Sequence, residues 1–119
     1  MNLEDFRTYC LSLPGTDESL PFGPDTLVFK VKNKLFALMG LDEPEPRANL
    51  KCDPARALEL RDTHEAVIPG WHMNKKHWNT VYFERDATDE LIYQLIDHSY
   101  ALVVAGLPKK VREELAAEQ

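Results

Sequence analysis

Pro69-Gly70-Trp71-His72-Met73-Asn74-Lys75-Lys76-His77-Trp78-Asn79-Thr80-Val81-Tyr82-Phe83 holds both tryptophans of the chain, two of its four histidines and a β-rich finish. A Pro69-Gly70 turn followed by interleaved aromatic and basic residues predicts an irregular ribbon that feeds a strand. Trp71 and Trp78 are its candidate anchors. No other stretch is so dense in groups that both pack and bind, which places the functional surface here.

Working outward, the segment ahead of it, Ala66 to Pro69, reads as a strand, and Asn79 to Phe83 reads as the last one. Beyond them Leu91, Ile92, Leu95, Ile96, Leu102 and Val103 recur at helical spacing, with Asp86, Asp89 and Glu90 at the start and Gly106 as the C-terminal cap. Pro108 opens a terminal helix through Val111 and Leu115 that runs out in Glu118 and Gln119. On the N-terminal side, Asp53-Pro54 caps a short helix to about Arg61, its apolar side Ala57, Leu58 and Leu60 and its remainder Arg56, Glu59 and Arg61. Ala48 to Cys52 is a strand, and Asp42-Glu43-Pro44-Glu45-Pro46 is an acidic loop tip, expected to be mobile.

Thr26 to Val31 and Leu35 to Leu41 form a hairpin around Asn33, a residue that tolerates positive φ. Leu27, Phe29 and Val31 fall on its inner face, while Val28, Lys30 and Lys32 face outward. Pro21, Gly23 and Pro24 confine any strand between Thr16 and Gly23 to an edge. Leu3, Phe6, Cys10 and Leu13 stripe a first helix that Asn2 caps, that Glu4 and Asp5 favour electrostatically, and that Pro14-Gly15 ends. This order implies an α+β two-layer sandwich: an antiparallel sheet of about five to six strands with helices packed on one face. A mixed sheet split by the Asp53 helix fits the same pattern.

A chain of 119 residues is one domain, 1–119, long enough to bury a core without staples. No apolar run approaches the roughly 20 residues of a membrane span, and the N-terminus lacks the basic flank of a signal peptide. Cys10 and Cys52 have no metal-type spacing, so they read as reduced core thiols of a cytoplasmic protein; the sequence leaves the oligomeric state open, with a monomer favoured. The net charge of -6 opposes nucleic-acid binding, because phosphate neutralisation supplies most of that affinity. Its distribution is dipolar, however. Glu4, Asp5, Asp17, Glu18 and Asp25 precede a run of Lys30, Lys32 and Lys34, and the Lys75-Lys76 segment follows.

No complete catalytic signature is present, and no cofactor is implied. His72 and His77 are spaced unlike a helical metal pair and have no nearby Cys or carboxylate to finish a tetrahedron. Glu65 and Glu84 flank them without an obvious nucleophile. The acids of the first helix are those of an ordinary solvated face and cap. Nucleic-acid binding has more parts: Lys30, Lys32, Lys34, Lys75 and Lys76 for phosphates, His72, Asn74 and His77 for further polar contacts, and Trp71 to stack. Each part also has a plain structural role, with Trp78 as a core plug, Asn74 and Asn79 as turn residues and Thr80 as a strand residue. The rival reading is a protein-interaction module with Trp71 and Met73 at the contact patch.

The run Trp71 to Val81 resembles the hallmark segment of the small bacterial MmcQ/YjbR-like family. Ser19-Leu20-Pro21-Phe22-Gly23, Lys34-Leu35-Phe36-Ala37-Leu38, Ser99-Tyr100 and Gly106-Leu107-Pro108-Lys109-Lys110 extend the likeness over almost the whole chain. The resemblance implies a frataxin-like (CyaY-like) sandwich, the double-wing fold, and a role in binding double-stranded DNA.

Overall fold

Alternating apolar residues in the strands and three-to-four spacing in the helices give a sheet with one face covered. The computed structural model describes residues 1–118, so Gln119 lies outside the described residues. The chain runs α1 (Leu3–Ser12), β1 (Thr16–Ser19), β2 (Thr26–Val31), β3 (Lys34–Gly40), β4 (Arg47–Lys51), α2 (Pro54–Thr63), β5 (Val67–Pro69), β6 (Trp78–Tyr82), α3 (Asp89–Ala105) and α4 (Lys109–Ala117). The strands lie in the order β1-β2-β3-β4-β6-β5. Every neighbouring pair is antiparallel, which confirms the α+β sandwich and removes the mixed-sheet alternative.

The core lies between the sheet and the helices. Leu27, Phe29 and Val31 of β2, Met39 of β3, Leu50 of β4 and Val81 of β6 meet Phe6 and Cys10 of α1 and Ile92, Leu95 and Ile96 of α3. Phe6 stacks on Phe83 at 5.1 Å and meets Phe29 edge-on at 6.1 Å. Burying such a side chain contributes about 1.5–3 kcal/mol. Both cysteines are free and buried, and burial pushes both thiols up, leaving them poor nucleophiles.

The hairpin turns on Lys32 and Asn33, with φ of 47° and 67°, the doubly positive geometry that matches strand twist. Lys32 therefore leaves the outward face it was expected to share with Lys30, and its amine pairs with Glu118 beyond α4. Past the turn, Lys30 pairs with Leu35 but Phe29 pairs with Ala37, so Phe36 is the extra residue of a β-bulge. Phe36 and Ala37 are both fully buried despite being consecutive. The α3 residue Ser99, itself fully buried, bridges this irregularity: its Oγ donates to the Phe36 carbonyl and accepts from the Lys51 amide at 2.9 Å.

Loops at the end of the sheet opposite the Lys32-Asn33 turn are held more tightly than the sequence implies. The 42–46 tip is fixed by Arg85, whose guanidinium makes a two-pronged contact with Glu45 at 2.6 and 2.9 Å, and by Glu43 on Arg47 at 3.2 Å. Asp86 does not serve the start of α3, which Thr88 caps at 3.1 Å. It accepts instead from the amides of Glu65 and Ala66 at 2.9 and 2.7 Å, and these donors hold its carboxyl below the usual range. At the other end of α3, Gly106 has φ of -85°, so the helix stops there without the left-handed cap that demands glycine.

Ser99→Ala should strip partners from two backbone groups and cost about 1–3 kcal/mol in chemical denaturation, with the slope unchanged. A pH-dependent term comes from His98, whose Nε2 accepts from the Asp53 amide at 3.1 Å. Burial and then nearby Arg56 lower its pKa. The imidazole is neutral in both states above pH ~6.5. As pH falls below that, the unfolded chain takes the proton first and stability is lost until the lower folded value is passed. The Tm of His98→Asn should fall less steeply than wild type across this window.

Candidate functional site

The face of the sheet turned away from the helices carries Val28, Leu38, Arg47, Asn49, Thr80 and Tyr82, as the register dictates. Asn49 and Thr80 stand opposite each other on β4 and β6 and are 6% and 0% exposed. Two polar side chains buried on a non-core face need a reason, and the loop after β5 supplies it. The Trp71 amide donates to Thr80 Oγ1 at 2.9 Å, the Thr80 hydroxyl donates to Asn49 Oδ1 at 2.6 Å, and Asn49 Nδ2 donates to the Trp71 carbonyl at 2.9 Å. The ring is closed, and the direction of each bond fixes the next.

Further contacts set the loop's path. Gly70 crosses so close to β6 that a Cβ would stand 2.7 Å from Trp78 Cβ and 2.9 Å from its carbonyl oxygen. His72 takes φ of 61° to reverse the chain. Arg61 reaches from α2 to donate to Asn79 Oδ1 at 2.7 Å and to the carbonyls of Lys75 and Trp78. Asn74 Oδ1 accepts from the Lys76 amide at 2.9 Å, the turn role expected of it.

Folded this way, the loop walls a cleft of about 370 Å³ with Trp71, His72 and Met73 on one side, Phe22 and Glu43 among the other walls, and Leu38, Gly40 and Ala48 among its sheet residues. Trp71 is 50% exposed and Phe22 72%. The Arg47 guanidinium, also in the lining, lies 5.4 Å from the Trp71 ring and 5.8 Å from that of Tyr82. Arg85 sits over Tyr82 at 3.9 Å. Cations and rings therefore alternate in the series Arg85, Tyr82, Arg47, Trp71.

The expected site residues divide between two places. Trp71, His72 and Met73 line the cleft. Lys34, Asn74, Lys75, Lys76 and His77 belong to one end of the sheet, because antiparallel pairing puts the β2–β3 turn, the end of β4 and the β5–β6 loop together. Lys34 and Lys76 are exposed there, and the Lys75 amine donates to the Gly70 carbonyl at 2.9 Å. Lys30 stands half-buried one pair inside this end, opposite Asp17. Lys32 is drawn off to Glu118. Among the described residues no group of three or more His, Cys, Asp or Glu gathers to hold a metal ion.

Sequence reasoning missed Phe22, Glu43, Arg47, Asn49 and Arg61. One signal was available: asparagine is disfavoured inside strands, so Asn49 between Ala48 and Leu50 marks a special position. Thr80 and Asn79, read as plain strand and turn residues, hold the ring and the α2 contact respectively. Trp78 is half-buried at the start of β6 and outside the main core, not its plug.

Comparison with known proteins settles kinship. The YjbR family model matches residues 11–102. The chain belongs to the YjbR family. It is 36% identical to the YjbR protein of Escherichia coli K12 over 115 residues, covering 97% of this chain and 98% of that one. It is 39% identical to YbdF of Escherichia coli O157:H7 over 107 residues, covering 90% and 88%. A crystal structure of a Deinococcus radiodurans protein of the DUF419 domain family superposes with a TM-score of 0.91 at 40% identity, covering 97% of this chain and 88% of that one. A Pseudomonas syringae protein follows at 0.76 and 28%, covering 86% and 98%.

Thr80→Val keeps the shape and removes the hydroxyl, leaving the Trp71 amide and Asn49 Oδ1 without partners. The variant should lose about 1–3 kcal/mol of stability and show faster amide exchange at Trp71, measured by NMR.

Proposed function

We propose that this YjbR-family protein acts by binding rather than by catalysis, and that its partner is double-stranded DNA contacted by the cationic end of the sheet. The observation that supports this reading is the strand register. It gathers Lys34, Lys51, Lys75 and Lys76, which are far apart in sequence, at one end. Asp42, Glu43, Glu45, Glu65, Glu84 and Asp86 belong to the loops at the other end, with Arg47 and Arg85. A chain of net charge -6 thereby carries a face on which phosphates meet mainly lysine. Asp17, Asp53 and Glu118 are acids near it, the first opposite Lys30, the second capping α2 and the third paired with Lys32.

A protein partner is the second reading, favoured by the exposure of Trp71 and Phe22 around one cleft. Aromatic residues of this kind anchor interface centres. The two readings differ in their response to salt.

The test is fluorescence anisotropy of a random-sequence duplex at low and near-physiological salt, with wild type and Lys34→Ala/Lys76→Ala. These two exposed lysines come from separate segments, the start of β3 and the loop between β5 and β6. Wild type should bind with steep salt dependence, and the double variant should lower the slope of log K against log salt by about 1–2. Lys109→Ala/Lys110→Ala, on α4, should leave the slope unchanged. Absence of binding at low salt would reject the DNA reading.

A further inference from the structure

The cleft on the open face has features that phosphate contact at the end of the sheet does not use. We propose that it is a small-molecule site for a planar aromatic ring carrying one anionic group, the ring lying against Trp71 and Phe22 and the anion on Arg47. This proposal stands independently of the DNA reading, because it involves none of the lysines.

Size and lining come first. About 370 Å³ is within the range of sites that enclose a small ligand, which are mostly apolar with a few placed polar groups. Here Leu38, Met73, Phe22 and Trp71 supply the apolar part. The Trp71 backbone is held in advance, since both its amide and its carbonyl are fixed by the Thr80–Asn49 pair. Preorganisation lowers the ordering cost that a ligand otherwise meets on binding.

The charge requirement follows from Arg47. Its guanidinium has five donors, and its one ion pair among the described residues is to Glu43 at 3.2 Å. It already occupies the cation–π position near both Trp71 and Tyr82, so a cationic ligand would meet like charge there. Asn49 is uncharged, 6% exposed and already engaged in the ring through both Nδ2 and Oδ1, so the charge complementary to an anion comes from Arg47. Glu43 indicates what the guanidinium accepts. Its side chain lies over Gly40, where a Cβ would come within 2.5 Å of Glu43 Cγ, and it presents a carboxylate to Arg47 from the cleft wall. An incoming anion displaces that carboxylate, which makes Glu43 an internal competitor.

Aromatic carboxylates and nucleoside monophosphates share this chemistry, and the experiment separates them. Titrations of the full chain with indole-3-acetate and with adenosine 5′-monophosphate, followed by ¹H–¹⁵N NMR, should shift the Trp71 indole resonance and the Arg47 side-chain resonance at ligand concentrations of about 1 mM or below. Indole, adenosine, acetate and inorganic phosphate alone should bind at least tenfold more weakly. The tighter of the two anions identifies the source. Arg47→Gln should weaken binding about tenfold or more, Trp71→Leu should weaken it severalfold, and Glu43→Gln should tighten it about 1.5- to 5-fold. The Glu43→Gln gain cannot be imitated by misfolding. Failure of both anions to shift Trp71, indifference to Arg47→Gln, or weaker binding by Glu43→Gln would overturn the proposal.

Discussion

A ring of three hydrogen bonds, from the Trp71 amide through Thr80 and Asn49 back to the Trp71 carbonyl, decides what the exposed face of the sheet becomes. A cross-strand pair of side chains here does what a neighbouring strand does elsewhere, satisfying both main-chain polar groups of one residue. The loop is thereby bound across the sheet face at its first residues, and its lysines remain at the sheet's end. Loss of any member leaves buried donors or acceptors unpaired, so the ring behaves as one unit and not as three separate contacts.

The helical side solves a matching problem with one residue. A bulge lets Phe36 and Ala37 both enter the core, which improves packing against Tyr100 of α3, met edge-on at 5.5 Å. The cost is an interrupted ladder, and Ser99 offsets it from the helix above. Arg61 plays a comparable part from α2, holding Asn79 and two carbonyls beside the loop. Both layers are thus joined by polar groups at the points where regular pairing fails, while apolar packing joins them everywhere else.

The regular parts of this arrangement were legible in the sequence because periodicity reports which face is buried. The hairpin at Asn33, the Asp53-Pro54 helix start and the α3 stripe all stand where their spacing puts them, with ends shifted by a residue or two. Kinship was legible too, from the Trp71 to Val81 segment. Long-range side-chain contacts were not. Glu45 on Arg85, Asp86 on the amides of Glu65 and Ala66, and Lys32 on Glu118 join residues separated by 20 to 86 positions, and no local pattern encodes such pairs. The cleft was half visible for the same reason. Trp71, His72 and Met73 are contiguous, whereas Phe22, Glu43 and Arg47 reach them only through the folded sheet.

The two borders of the sheet bear on how the molecule meets its own copies. β1 is four residues long and carries Asp17 and Glu18, while β5 is three residues long and ends in Pro69. A strand so short, charged or deprived of an amide donor is a poor template for another strand. Polymerisation by edge-to-edge growth is discouraged at both borders. The open face is thus free to display aromatic side chains without the molecule becoming a seed for fibres.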